Sequence, residues 1–288
     1  MEARLRESPG DALAAYLMSQ IRFAFGDHDS PLALAAKAVT LDGNVAKYHR
    51  QLAEVTGVMA QHAGLFQQLV LARRFKKEID AALALDAKDI QALRDAMEFY
   101  LLAPGIAGGD KEKAPAVAEQ IAVIDRSEGF RAEARLAQFR KDSGSEEALL
   151  RKAANAVPAN YKASIALAQF ELSKENPELE TAESAARQAL QIDRTRVDAY
   201  STLAAVEASG ARWEELDKLL LEADEAVPDD LTPHYRAAET MLRMGKNLAV
   251  AERNLRQYLA EEPEGYEPSE ADARDKLRLA HSHNARPQ

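Results

Sequence analysis

Residues Val197–Pro228 read V-D-A-Y-S-T-L-A-A-V-E-A-S-G-A-R-W-E-E-L-D-K-L-L-L-E-A-D-E-A-V-P. Tyr200, Leu203 and Ala204 fall three and four apart, which places them on one helix face. Ser209-Gly210 breaks that helix with the residue that tolerates a positive φ best. Trp213, Leu216, Leu220 and Ala223 then form the apolar side of a second helix, which Pro228 ends.

The same closing pattern recurs along the chain. Second helices are expected to end near Gly43, Ala87, Arg126, Pro158, Arg194, Pro228 and Pro263, at intervals of 44, 39, 32, 36, 34 and 35 residues. Five residues before these ends stand Ala38, Ala82, Ile121, Ala153, Ala189, Ala223 and Tyr258. Most are small, as close approach of adjacent helices requires.

An aromatic residue, Leu-Ala, a turn, a second amphipathic helix, an Ala and a Pro five residues on resemble a tetratricopeptide repeat. Two positions depart from that pattern. Glu207 stands where the family prefers an aromatic and is read as a tolerated departure, and Leu216 stands where it prefers Ala. The resemblance implies an all-α, right-handed superhelical solenoid of antiparallel helix pairs. About seven repeats over 11–263 are expected, with a loop and capping helix over 264–280. Residues 1–10 read as a flexible lead-in and 281–288 as a disordered tail.

The second repeat is longer than the usual ~34 residues, so its helices should protrude. Asn44 is expected to cap the first of them. In the third repeat, F-Y-L-L-A-P-G-I-A-G-G-D-K-E-K-A runs from Phe99 to Ala114. Pro104-Gly105 fits a type II turn, Gly108 and Gly109 supply positive φ, and Asp110 caps the next helix, leaving Ile106 at the tip. This loop, with Tyr48-His49 and Tyr100-Leu101, resembles the A-P-G-I-x-G-G insertion of a bacterial subset of the family. In the fourth repeat, Phe130, Ala134 and Ala137 form one candidate face and Ala132, Leu136 and Phe139 another. Ser143-Gly144-Ser145 is expected to make its turn.

Composition bounds the function. The net charge of −10 argues against a general nucleic-acid or anionic-membrane binder, and no apolar run suffices to span a bilayer. There is no cysteine, hence no disulfide and no Cys-ligated zinc. The opening segment is charged without a signal core, so the chain as written reads as cytoplasmic, or as periplasmic if a leader has been removed. The glycine loop lacks the Lys-Ser/Thr ending of a phosphate-binding loop. His281 and His283 have metal-ligand spacing but no third ligand nearby. No cofactor, metal or catalytic constellation is expected, and the chain reads as a non-enzymatic scaffold.

By the resemblance, first helices line a concave groove, and their outward side chains meet a peptide or partner helix. Here those are Gln91, Arg94 and Glu98; Lys162 and Gln169; Asp198 and Ser201; and Thr232, Tyr235, Glu239 and Arg243. They lack the repeated Lys and Asn of a groove that clamps a C-terminal carboxylate. The alternative is a sensor or accessory domain holding a small molecule inside the superhelix. The expected partner is a protein or peptide, with the chain itself a monomer or weak homodimer. Arg73, Arg74, Lys76 and Lys77 form a basic cluster, and residues 214–230 carry eight acids against Lys218 alone.

Overall fold

Each closing segment ends a helix in the computed structural model, which describes residues 2–27, 30–261 and 268–284. The chain divides into two units, Met1–Glu146 and Glu147–Gln288. The first contains α1 (Glu2–Glu7), α2 (Ala12–Ala24), α3 (Ser30–Leu41), α4 (Ala46–His62), α5 (Leu65–Leu85), α6 (Ile90–Leu102), α7 (Ala114–Ile124) and α8 (Arg126–Phe139). Helix α9 (Ser143–Ala154) begins at its end. The second unit continues with α10 (Tyr161–Ser173), α11 (Leu179–Ile192), α12 (Val197–Ser209), α13 (Trp213–Ala226), α14 (Thr232–Met244), α15 (Leu248–Tyr258) and α16 (Glu270–Asn284). Among the described residues there is no strand. From α2 to α15 the helices alternate as first and second members of seven pairs, and α16 caps the last.

The position five residues before each end is buried in every repeat. Ala38, Ala82, Ile121, Ala153 and Ala189 are fully buried, and Ala223 and Tyr258 nearly so. In the pair first quoted, Tyr200, Leu203, Ala204, Leu216, Leu220 and Ala223 are all buried, as the three-and-four spacing requires.

Helix starts are set by short polar side chains. Asp11, Asp89, Asp125 and Asn160 each accept a hydrogen bond from the backbone N–H three residues on, at 2.8–3.1 Å. After three second helices, the side chains of Asp42, Asp86 and Asp193 accept from the N–H two residues on, turning the chain into the next repeat.

First helices α2, α8, α12 and α14 end alike. The N–H of Asp27, Asp142, Arg212 and Lys246 each reaches back five residues to a carbonyl, and the residue before it has a positive φ. That is the Schellman motif. Glycine fills the left-handed position at Gly26 and Gly245, but Lys141 (φ 60°) and Ala211 (φ 53°) fill it elsewhere. Gly210, expected to supply the positive φ, is right-handed at φ −76°, one residue too early. Likewise the turn of the fourth repeat lies at 140–142, and α9 already begins at Ser143.

Several other expectations are corrected. Residues Glu2–Glu7 are helical rather than a loose lead-in, tied by Arg4 Nε donating to Asp11 at 2.6 Å. Val45, not Asn44, precedes α4, because Asn44 is held in the Asp42 turn. Both candidate faces of α8 are buried. Ala132 and Leu136 join the core of α6 and α7, with Phe139 partly buried against it, while Ala134 and Ala137 are buried on the other side. Helix α16 runs to Asn284, past the expected end at Ala280. Pro263, most of the 264–268 loop and the last four residues of the expected tail lie outside the described residues, as does the His283 side chain.

Candidate functional site

The first helices α10, α12 and α14 lie side by side in the second unit, and their outward residues line a concavity of about 510 Å³. Six of the predicted groove residues meet there: Gln169, Asp198, Ser201, Thr232, Glu239 and Arg243. They converge because each first helix presents the same face, and a step of three or four residues along it moves one turn deeper. Leu172, Ala205, Arg236 and Thr240 complete much of the wall, and sequence reasoning missed them. They sit three or four residues from named positions, so the same periodicity pointed to them.

The charges in this groove are mostly occupied. Arg236 donates to Glu239 at 2.9 Å, Arg196 to Asp198 at 3.2 Å, and Asp230 accepts from the Thr232 N–H at 3.0 Å. Two groups are left over. Arg243 is exposed and has no ion-pair partner among the described residues. Ser201 is 8% exposed and its Oγ has no hydrogen-bond partner among the described residues.

The remaining predicted residues are placed otherwise. Tyr235 is buried, its ring against Tyr258 and its hydroxyl donating to Asp272. Burial, reinforced by Asp272, pushes that hydroxyl far above the usual tyrosine range. It packs the last repeat against α16 and offers the groove no ring. Lys162 is exposed and does not line the cavity.

In the first unit, Gln91, Arg94 and Glu98 spend their polar atoms locally. Gln91 donates to Asp95 at 2.9 Å, Arg94 to Glu128 at 2.9 Å, and Arg135 to both oxygens of Glu98 at 2.6 and 2.8 Å. Two of these three links join α6 to α8. Buried surroundings push the Asp95 carboxyl up to about 6, against the Gln91 hydrogen bond and with help from the Glu54 charge.

The loop after α6 is built by its backbone. Gly105–Ala107 form a 3₁₀ turn in which the Pro104 carbonyl accepts from Ala107 and Gly109, replacing the expected type II turn. Gly108 has φ +105°, the left-handed region expected of it. Gly109 does not, but a Cβ there would lie 1.8 Å from the Ala103 carbonyl oxygen. Asp110 accepts from the Glu112 N–H at 3.3 Å and so caps the turn that leads into α7. Ile106 is 72% exposed, and its carbonyl accepts from Arg73 of the basic cluster at 3.1 Å.

One carboxylate cluster has metal-like spacing: Glu147, Glu171 and Glu178. Arg151 Nη2 stands 2.8–3.0 Å from all three, and Lys174 Nζ lies 2.6 Å from Glu171 and 2.9 Å from Glu147. The donor set is already filled by two cations, and hydrogen bonds from them hold the Glu147 and Glu178 carboxyls below the usual range. No described helix is long and apolar enough to cross a membrane.

No protein-family model and no curated protein matches the chain. Among solved structures it is similar to yeast Tom70, at 14% identity and a TM-score of 0.68, covering 98% of this chain and 57% of that one. The chain thus spans little more than half of that protein's length. A tetratricopeptide repeat protein from Parabacteroides merdae (12% identity, TM-score 0.48, 94% of this chain and 98% of that one) and PilF of Pseudomonas aeruginosa (16%, 0.41, 79% and 97%) also match. At such identities a likeness speaks for the fold alone, and here the first of them carries it. Helix pairs, their period and that likeness together make the fold an all-α helix-pair array of the tetratricopeptide kind.

Proposed function

We propose that the chain is a non-enzymatic interaction scaffold that holds an extended peptide or a partner helix along α10, α12 and α14. The observation that carries this reading is the convergence of six outward first-helix residues on one concavity of about 510 Å³. Its mixed lining suits a polypeptide, whose backbone needs donors and acceptors and whose side chains need both polar and apolar surface. Ser201 Oγ offers such a hydrogen bond at the floor, and Arg243 offers an unneutralised charge at the rim. A small-molecule sensor calls for an enclosed apolar cavity. The charged walls formed by Asp198, Asp230, Arg236 and Glu239 favour the peptide instead.

The test is selection of a random peptide library displayed on phage against the full chain. Recovered peptides should bind the unmodified chain, and Ala205→Arg, which fills the groove from its partly exposed wall, should weaken them about tenfold or more. Charge reversal at Arg243 should weaken those with an acidic residue. Peptides that bind equally well to Ala205→Arg would place recognition elsewhere.

A further inference from the structure

Residues 55–72 contain no Asp, Glu, Lys or Arg, in a chain that is 29% charged. They form the tip of the α4–α5 hairpin. Helix α5 has 21 residues against 17 in α4 and 13 in α6, the helices packed against it, so its first turns overhang α6. The overhang exposes Phe66 (92%) and Val70 (65%). Arg73 and Lys77 follow on the same stripe, at steps of three and four residues, and both are exposed. One helix face therefore runs from apolar to cationic, and nothing among the described residues of its own unit covers its apolar end.

The acidic helix α13 carries the complementary sequence of groups. Leu221 is 66% exposed, and Asp217, Lys218 and Glu214 precede it on one exposed stripe that ends in the acid. Val70 to Lys77 and Leu221 to Glu214 are both seven residues, about 10.5 Å along a helix. Laid antiparallel, Val70 meets Leu221 and Lys77 meets Glu214, while Arg73, bonded to the Ile106 carbonyl, falls opposite the Asp217–Lys218 step. Neither Lys77 nor Glu214 has an ion-pair partner among the described residues. Arg253, the cation near Asp217, is 3.7 Å away and mostly exposed.

We infer that α5 of one copy docks antiparallel on α13 of a second copy, giving reversible self-association. Exposed apolar side chains supply the burial, and the Lys77–Glu214 pair at the far end from Val70 and Leu221 fixes direction and register. Because the two surfaces differ, the contact is heterologous.

Sedimentation velocity from micromolar to near-millimolar protein tests this. The unmodified chain should gain mass with concentration. Lys77→Glu or Glu214→Lys alone should reduce the association constant about tenfold or more, because like charges then face each other. The double variant should recover to within about threefold of the original, since the pair is restored with its signs exchanged. Lys77 and Glu214 are both exposed, and circular dichroism checks that the variants stay helical. A monomer at every concentration overturns the inference, as does failure of the double variant to recover. Binding of the monomer to anionic phospholipid vesicles through Phe66 and Arg73 would likewise overturn it, by giving that face another occupant.

Discussion

Arg212 donates from Nε to Glu207 at 2.5 Å, and Glu207 is only 1% exposed. A carboxylate that deep requires compensation. A second cation, Arg187 of α11, lies 3.5 Å from its other oxygen. The repeat before has the same arrangement, with Glu171 fully buried and Arg151 of α9 at 2.9 Å. Each glutamate is the eleventh residue of its first helix and each arginine the ninth of the preceding second helix, so both ion pairs stitch one repeat to the next. What reads in the sequence as a departure from the aromatic pattern is a polar substitute for it.

Glu207→Ala should therefore destabilise the chain by about 2 kcal/mol, somewhat under the full loss for a buried pair because both arginines are partly exposed. Glu183→Ala, which removes a more exposed partner of the same Arg212, should cost less than about 1 kcal/mol. Urea unfolding followed by circular dichroism compares them. Equal costs would mean that the buried position carries no special weight.

The Schellman turns give a prediction of opposite sign. Ala211 and Lys141 occupy left-handed positions where glycine carries no steric penalty. Ala211→Gly and Lys141→Gly should each stabilise by about 0.5–1 kcal/mol, the relief of strain exceeding the added freedom of the unfolded chain. Gly245→Ala, at the corresponding turn of α14, should destabilise by about 1 kcal/mol. Melting temperatures of the three variants check both directions at once.

In the loop after α6, the two glycines should respond differently. Gly108→Ala adds backbone strain alone, about 1 kcal/mol. Gly109→Ala drives a methyl group into the Ala103 carbonyl and should cost about 3 kcal/mol. Ile106→Ala, at an exposed tip, should leave melting nearly unchanged. An unaltered melt for Gly109→Ala would contradict this path of the loop backbone.

Asp95 sets a pH dependence. Its carboxyl is raised to about 6 when folded, against 3.8 for an ordinary aspartate. Between these values the folded chain binds more protons than the unfolded one, so the contribution of this group to stability falls as pH rises through that window. A shift of that size is worth about 3 kcal/mol across the window, less what solvent screens from a half-buried group. Asp95→Asn keeps the acceptor for Gln91 and should stabilise by about that amount at pH 7 while changing little at pH 4. Denaturation midpoints at the two pH values decide it.

The repeat fold was legible because it is written locally, in apolar spacing and in small residues such as Ala153 and Ala189 at a fixed distance from each helix end. Its buried ion pairs were harder to read, since Glu207 and Arg187 belong to different helices. Their signal was a shared period: Glu171 and Glu207, like Arg151 and Arg187, are 36 residues apart. Turn positions erred by one residue at Gly210 because the Schellman bonds, not the identity of the glycine, decide which residue takes the left-handed conformation. In the groove, helical phase brought Asp198, Ser201 and Glu239 together. It could not foresee that the Tyr235 ring would turn into the contact with α16, which closes the array from beyond the last repeat.

Asp125 ends α7 and caps α8 at once, with no other residue between the two helices. A Cβ on Gly129 would come within 2.4 Å of Ala122, so the corner is closed to side chains as well. The opposite ends of these helices are joined by anything from two residues, at 63–64, to eleven, at 103–113. Within the first unit, Asp125 leaves the hand-over from α7 to α8 no spare length, while extra length is taken up where first helices pass to second, as helix at the α4–α5 tip and as loop after α6.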